Sequence, residues 1–421
     1  MMPPTGRERC QGIPPGVLSD LPDNVIDVIL RRLPCKDVVR TSVLSRKWRY
    51  HWCRITELTF DVSLWREQKD ILYPTVKFRK IVYQLLTHHE GPITKFTLDI
   101  PALQECPVID NFIYFLSRKD IQHIVLHLPL DELYELPSSL FICSQLRHLN
   151  LHDCLVHPPS TFEGFDRLVS LELCRVEISS ESLGSLISHC PLLEKLVLKT
   201  LKVLSVLEIN APMLRSFDFT GSISSLCLKN VPVLTKASLI CEHSSMVVEN
   251  FDYAKFFESC SGLEHLLLNF GYGYDEFFAD EIPTRLPFYL NRVKHLDLSQ
   301  IVLKNPFKLS CALCLIRSSP YLEYLKIEVN NRPESDIEES FELERFSDVT
   351  FNHLREVTVV SFGGTMPEMQ FIKLLLAKSP VLVKMQIDPA FYIDARSETL
   401  AELLKFQHAS PKAEIDYISY D

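Results

Sequence analysis

Two rows of side chains in this chain carry residue types that could bind a metal ion or move a proton. One row is Asp99, His127, His152, Cys174 and Lys199, and the other is Lys95, His123, His148, Ser170 and Lys195. Both come from aligning short segments of the form L-x-x-L-x-L, whose intervening residues share one face of a strand. Asp, His and Cys are zinc-ligating types, but neighbouring strands lie about 4.8 Å apart, so four ladder positions span about 14 Å. Zinc–ligand bonds are about 2 Å long, so at most two or three of these groups could meet on one ion. The rows read as a polar binding surface, with a pH-sensitive contact through the paired histidines as the lesser alternative. No metal site and no cofactor is expected. Cys311-Ala-Leu-Cys314 has redox spacing, yet it lies in a helical stripe with no second pair nearby and reads as core. His88-His89 reads as a solvated pair ending a helix. No phosphate-loop, dinucleotide, nucleophile-elbow or zincin motif occurs, and twelve glycines leave little for phosphate-cradling loops. An enzyme is not expected.

The elements that position those rows repeat. The pattern recurs at Leu146–Leu151, Leu168–Leu173, Leu193–Leu198, Leu263–Leu268, Val293–Leu298, Leu322–Ile327, Leu354–Val359 and Leu382–Ile387. Intervals of roughly 22–32 residues fall in or near the leucine-rich-repeat range. One such unit cannot bury its own apolar side, so the units must stack into a solenoid. Leu204, Leu214, Ile223 and Leu234 begin strands only about ten residues apart, with room for a turn and none for a helix. Elsewhere Leu183/Leu186/Ile187, Phe256/Phe257, Leu313/Ile316, Leu374/Leu375 and Leu400/Leu403/Leu404 give helical spacing. Cys190-Pro191, Ser319-Pro320, Ser379-Pro380 and Ser410-Pro411 each stop a segment just before the next strand. Phe270–Phe278 reads as an aromatic loop folded back on the repeats, and Glu334–Asp348 as an acidic solvated loop.

Composition narrows the function classes. There are 44 Lys and Arg against 54 Asp and Glu, a net charge of −10, which gives no excess of cations for a general nucleic-acid surface. No apolar run approaches a membrane span. Residues 1–17 lack the apolar core of a secretory signal and read as a disordered lead. Thirteen scattered cysteines, an odd number, read as reduced thiols, which places the chain in the nucleus or cytoplasm.

Residues 18–61 differ from all of this. Asp20 or Asp23 can cap a first helix with Pro22 near N1, and Val25, Ile26, Ile29, Leu30 and Leu33 follow at helical spacing. Pro34 stops it. Val38, Val39 and Val43 form a second stripe. Ser45 can cap a third helix carrying Trp48, Trp52 and Ile55, with the two tryptophans on one face. Three short helices bury little surface alone, so their stripes should continue onto a partner or the next domain. This block resembles the F-box motif: Leu21-Pro22, Leu33-Pro34, Val43-Leu44-Ser45, the run Leu44-Ser-Arg-Lys-Trp-Arg49 and the Trp48/Trp52 pair all match. Pro137–Cys143, Leu146–Leu149, Pro158–Phe165, Leu354–Gly364 and Phe371–Met385 resemble the plant F-box/FBD/leucine-rich-repeat family, the last two its FBD region.

The resemblance implies an α/β chain: a lead (1–17), a small three-helix F-box (18–61), a helical linker (62–94) and an irregular leucine-rich-repeat solenoid (95–349). An FBD-like region (350–421) would close the chain. It also implies a non-catalytic substrate receptor of a Skp–cullin–F-box ubiquitin ligase. The Skp-type adaptor would be held by Leu21, Pro22, Val25, Ile29, Leu33, Pro34, Val38, Val39, Val43, Leu44, Trp48 and Trp52. The block carries eight Lys/Arg against six Asp/Glu, a sign that suits an acidic adaptor. A protein target would meet the open face of the solenoid, with His148, Asn150, His152, Glu172, His295 and Asp297 as the residues best placed. Scattered Lys195, Lys199, Lys326 and Lys384 do not make the dense cluster that a buried inositol phosphate would need. The alternative is a scaffold that sequesters the adaptor outside any ligase.

Overall fold

The computed structural model describes residues 20–33, 35–61, 74–100, 108–128, 133–201, 207–221, 226–241, 253–269, 285–303, 306–330, 349–390 and 401–418. The lead 1–17, Pro34, the strand starts at Leu204 and Ile223, Leu400, the aromatic loop 270–278 and the acidic stretch 334–348 lie outside the described residues. The chain falls into two compact units, residues 1–155 and 156–421.

The first unit opens with α1 (Asp23–Arg31), α2 (Cys35–Arg40), a 3₁₀ turn (Thr41–Val43) and a 3₁₀ helix (Trp48–Arg54). There follow β1 (Glu57–Asp61), α3 (Pro74–His88), β2 (Lys95–Asp99), α4 (Val108–Leu116), β3 (His123–His127), β4 (Tyr134–Glu135), β5 (His148–His152) and β6 (Cys154–Leu155). Strands β1, β2, β3 and β5 pair in parallel, in that order. The sheet thus begins at Glu57, whereas the sequence pattern places its first strand at Lys95. Leu58 and Phe60 point inward, and Phe60 meets the rings of Phe78 and Phe96 at 5.8 Å. Two alternating apolar residues carry too little periodicity to announce a strand.

The second unit contains β7 (Ser170–Cys174), α5 (Ser180–Ser188), β8 (Lys195–Lys199), β9 (Leu207–Asn210), β10 (Ser216–Gly221), β11 (Leu226–Lys229) and β12 (Lys236–Cys241). It continues with α6 (Tyr253–Glu258), β13 (His265–Asn269), β14 (His295–Ile301), α7 (Pro306–Ser318), β15 (Tyr324–Val329), β16 (Glu356–Phe362), α8 (Met366–Lys378), β17 (Lys384–Pro389) and β18 (Glu414–Tyr417). Ten of these strands form one parallel sheet in the order β7, β8, β10, β12, β13, β14, β15, β16, β17, β18. Most of them turn alternate apolar side chains in, as in β8, where Leu196 and Leu198 are fully buried.

The turn into each strand explains the Pro punctuation. The carbonyls of Cys190, Ser319 and Ser379 accept the amides of Leu193, Leu322 and Leu382 at 3.1, 3.1 and 3.3 Å. Each is a β-turn whose second position suits Pro. The serines at its first position are buried, and Ser319 Oγ donates to the Leu315 carbonyl at 2.9 Å. In the middle of the unit, β9 and β11 pair with each other in a separate two-stranded sheet. The strands read from sequence at ten-residue spacing therefore belong to two faces in alternation. Among the described residues each coil there is strand, turn, strand. The second sheet is fastened by Lys229 on Glu208 at 2.6 Å and Asn230 on Asn210 at 3.1 Å.

Gly164 is required where it stands. Its φ is +112°, and a Cβ there would sit 2.0 Å from the His189 carbonyl oxygen. The cysteines behave as core residues. Burial pushes the Cys143, Cys154 and Cys260 thiols up to about 12 and those of Cys190 and Cys314 up to about 11. Cys311 and Cys314 lie inside α7, as their helical stripe implies. No helix among the described residues is long and apolar enough to cross a membrane.

Candidate functional site

Two surfaces stand out, one in each unit. In the first, residues 20–55 wrap a core made by Ile26, Leu30, Val38, Trp48 and Ile55, with Leu21, Ile29, Leu33 and Trp52 packed around it. Neither Asp20 nor Asp23 caps α1. Pro22 takes the N-cap position without a side-chain cap bond, its carbonyl accepting the Val25 and Ile26 amides at 3.0 and 3.1 Å. Asp23 is drawn instead into an ion pair with Lys47 at 3.0 Å, which also donates to the Leu21 carbonyl. That hydrogen bond from Lys47 lowers the Asp23 pKa. The N-cap position of the third segment is Lys47 and not Ser45, although the Ser45 hydroxyl accepts the Trp48 amide at 3.4 Å.

The expected α-helical third segment is a 3₁₀ helix, and this separates the tryptophans. With three residues per turn, positions four apart diverge by about 120° rather than about 40°. Trp48 is accordingly 1% exposed, while Trp52 is half-buried and lies beside the His88 ring at 6.2 Å. Val38, at 2%, is also interior. Trp48 and Val38 thus correct the expected contact set: they hold the surface from beneath and present nothing to a partner. The exposed apolar residues are Val43 at 85% and Leu44 at 49%, with Tyr50 beside them in sequence and Val25 and Val28 on the outer side of α1. Leu21, Ile29 and Leu33 lie half-buried, Pro22 is exposed, and Pro34 and the Val39 side chain are outside the described set.

The open face of the first unit has the ladder that the alignment implies. Lys95, His123 and His148 are direct neighbours, as are Asp99, His127 and His152. The His123 and His148 rings stack at 4.3 Å and 7°, and His127 leans on His152 at 4.9 Å. His127 Nδ1 lies 2.7 Å from Asp99 and its Nε2 3.7 Å from Asp153, so both ring nitrogens face carboxylates. Among the described residues no three His, Cys, Asp or Glu side chains are arranged to hold a metal ion. Asn150 sits half-buried between the two histidine rows.

The second unit carries a cavity of about 420 Å³ on its open face, lined by strands β10 and β12 to β16. One wall is a ring ladder: His265 stacks on His295 at 4.2 Å and His295 on Tyr324 at 4.4 Å. Burial, then the neighbouring His265, lowers the His295 pKa and favours the neutral ring. Asp297 accepts from Ser299 at 3.0 Å and pairs with Lys326 at 3.2 Å. His295 and Asp297 are thus brought together as the sequence suggests, whereas Glu172, outside the cavity, is occupied by Lys195 at 2.6 Å. Lys384 likewise pairs with Asp416 at 3.6 Å. Sequence reasoning missed Asp218, Lys236, His265, Tyr324, Glu356 and Thr358 in the lining. Continuing the strand alignment through Leu214-Arg-Ser-Phe-Asp-Phe219 would have found Asp218.

A small apolar docking block joined to parallel-strand repeats defines a class of modular binding protein. The F-box domain model matches residues 18–57, and the model described as FBD-associated F-box protein At5g56370, LRR repeats, matches residues 109–327. The F-box/FBD/LRR-repeat protein At1g13570 of Arabidopsis thaliana is 34% identical, over 97% of this chain and 99% of its own. The F-box/LRR-repeat protein At4g14103 of the same plant is 27% identical over 75% of this chain and 85% of its own. An internalin from Listeria monocytogenes shares 13% identity over 95% of each chain, with a TM-score of 0.37. The chain belongs to the F-box/FBD/LRR-repeat family. F-box domains generally bind Skp-type adaptors, and F-box/LRR proteins are generally non-catalytic adaptors in ubiquitin ligases.

Proposed function

We propose that this chain is the target-binding subunit of a Skp–cullin–F-box ubiquitin ligase, without catalysis of its own. The F-box would hold the adaptor, the repeats would hold a protein to be ubiquitinated, and residues 350–421 would act as the FBD region closing the repeats. The observation that carries the reading is the contrast within residues 20–55: Trp48 and Val38 are spent on a core while Val43 and Leu44 stand out in solvent. Exposed apolar residues on a rigid support suit a partner's groove. Nine free cysteines among the described residues, most of them buried thiols, suit a reducing compartment, the nucleus or cytoplasm.

The test is affinity purification from plant cells of the intact chain, of a Val43→Asp/Leu44→Asp variant and of a chain lacking residues 18–61. Adaptor and cullin arriving with the intact chain alone support the reading. Adaptor without cullin indicates an adaptor-sequestering scaffold, and adaptor retained by the double variant takes the docking face away from Val43 and Leu44.

A further inference from the structure

The cavity on the open face of the second unit holds charges that are not matched inside the protein. Asp297 is answered by Lys326 at 3.2 Å, and just outside it Glu172 is answered by Lys195 at 2.6 Å. Among the described residues, the side chains of Asp218 and Glu356 form no hydrogen bond or ion pair, and neither does that of the cation Lys236. The unmatched set is therefore two carboxylates against one ammonium. Asp218 is the more confined carboxylate. It lies half-buried on β10, one strand from Ser238 and two from Leu267. Burial raises its pKa, and the nearby Lys195 and Lys199 do not cancel that effect. A carboxylate that has lost water and gained no donor is stabilised by any cation brought to it.

The surroundings select among cations. Leu267 gives an apolar floor, the imidazole of His295 is held neutral, and Ser216 and Ser238 add hydroxyl acceptors. A long apolar stem with a flat, many-donor head fits this lining better than a compact ammonium. The cavity is sized for one or two side chains. A phosphate or acidic residue would find one unmatched cation, Lys236, against the two carboxylates Asp218 and Glu356, and could use Lys326 only by breaking its pair with Asp297.

We propose that this cavity is a recognition pocket for an arginine side chain presented by an extended segment of the target protein, with Asp218 as its counter-ion. This rests on the reading of the repeats as target-binding. The overall charge of −10 favours approach of such a basic segment.

The experiment uses the full chain with libraries of 12-residue peptides, randomised except for a central arginine, lysine, citrulline, glutamine or phosphoserine. Binding is read by fluorescence polarisation. Central arginine should bind at least about tenfold tighter than citrulline, which keeps the shape and loses the charge. Asp218→Asn should abolish that ratio with an unchanged melting temperature. Glu356→Gln should reduce it less, and Lys236→Ala should leave it or raise it. Equal binding of arginine and citrulline overturns the proposal. So does a preference for phosphoserine that Lys236→Ala removes. If arginine gives no preference while the Asp218→Asn chain still ubiquitinates the same targets with its adaptor, the pocket is wrong and the receptor reading stands. If the intact chain ubiquitinates nothing either, both fall.

Discussion

The F-box and the second-unit sheet solve burial in opposite ways. The F-box gathers four interior residues around one tryptophan, and the helices of the block lean on them. The sheet spreads its burial over ten parallel strands, each closing only on its neighbours. A single core concentrates risk, whereas a stacked array localises it. The largest expected effect follows directly. Trp48→Ala should cost about 3–5 kcal/mol and unfold the block as a whole. Leu196→Ala in β8 should cost about 2–5 kcal/mol but loosen only the coils beside it. Hydrogen exchange resolved by segment separates the two outcomes. Protection that persists across residues 23–54 in the tryptophan variant would mean that the F-box borrows its stability from β1 and α3. The contacts for that exist: the Glu90 amide donates to the Cys53 carbonyl at 3.1 Å, and His89 Nε2 lies 2.8 Å from the Ile55 carbonyl.

The second prediction separates support from contact. Val43→Asp with Leu44→Asp changes residues already in water, so stability should move by less than about 0.5 kcal/mol. Adaptor affinity should nevertheless fall by about tenfold or more, the scale of a hot-spot loss at an interface centre. Calorimetric titration of the purified adaptor reads this. A variant that binds normally would shift the docking face to Val25 and Val28 on the outer side of α1.

The same contrast decides what the amino-acid order disclosed. The strands of the repeats were legible because alternating leucines at fixed spacing leave one register that buries them. His123 beside His148 and Asp99 beside His127 followed from that register alone. The second small sheet was not legible, because Leu207/Ile209 and Leu226/Leu228 alternate in the same way as the main strands. Alternation gives a period without saying which sheet a strand joins. In the F-box the apolar positions were visible, but the choice between α and 3₁₀ at Trp48–Arg54 was not. It depends on how the start of that segment closes on α1 through Lys47 and Asp23, a contact 24 residues away in the chain. The cavity was half visible: His295 and Asp297 come from a regular repeat, and Asp218 from the short coils whose helices are missing.

A third prediction concerns protons. His123 in the first unit and His295 in the second both have pKa values lowered chiefly by burial, each with a second imidazole stacked beside it. A histidine whose folded pKa lies below its unfolded value binds its proton more readily when the chain unfolds. Stability should therefore fall as pH drops through the unfolded value of about 6.5, and be fully present above it. Glu368 on α8 works the other way. Burial raises its pKa although its carboxylate accepts the Gly363 amide at 2.7 Å, so its penalty is present at neutral pH and fades in acid. Urea midpoints at pH 7.5 and 5.5 for the wild type, His123→Gln and His295→Gln measure the histidine contribution. Each variant should flatten the slope, and an unchanged slope in both would assign the acid sensitivity elsewhere.

The smallest effect tests how much strain each coil of the array tolerates. Arg175 and Thr200 follow β7 and β8 directly, and both take a φ of +51°, where the chain turns out of the sheet. The turn is held by backbone bonds, from the Arg175 amide to the Lys199 carbonyl at 2.9 Å and from the Thr200 amide to the Thr220 carbonyl at 2.8 Å. A β-branched residue in this region is costly, about 1–2 kcal/mol for an L-residue. Thr200 is exposed at that turn. Glycine removes the steric cost but adds chain entropy to the unfolded state, about 0.5–1 kcal/mol. Thr200→Gly should therefore stabilise the second unit by about 0.5 kcal/mol, a rise of a degree or two in its thermal midpoint. A fall instead would show that the threonine hydroxyl or methyl secures the exit of β8, and that the array, too, rests on single residues at its turns.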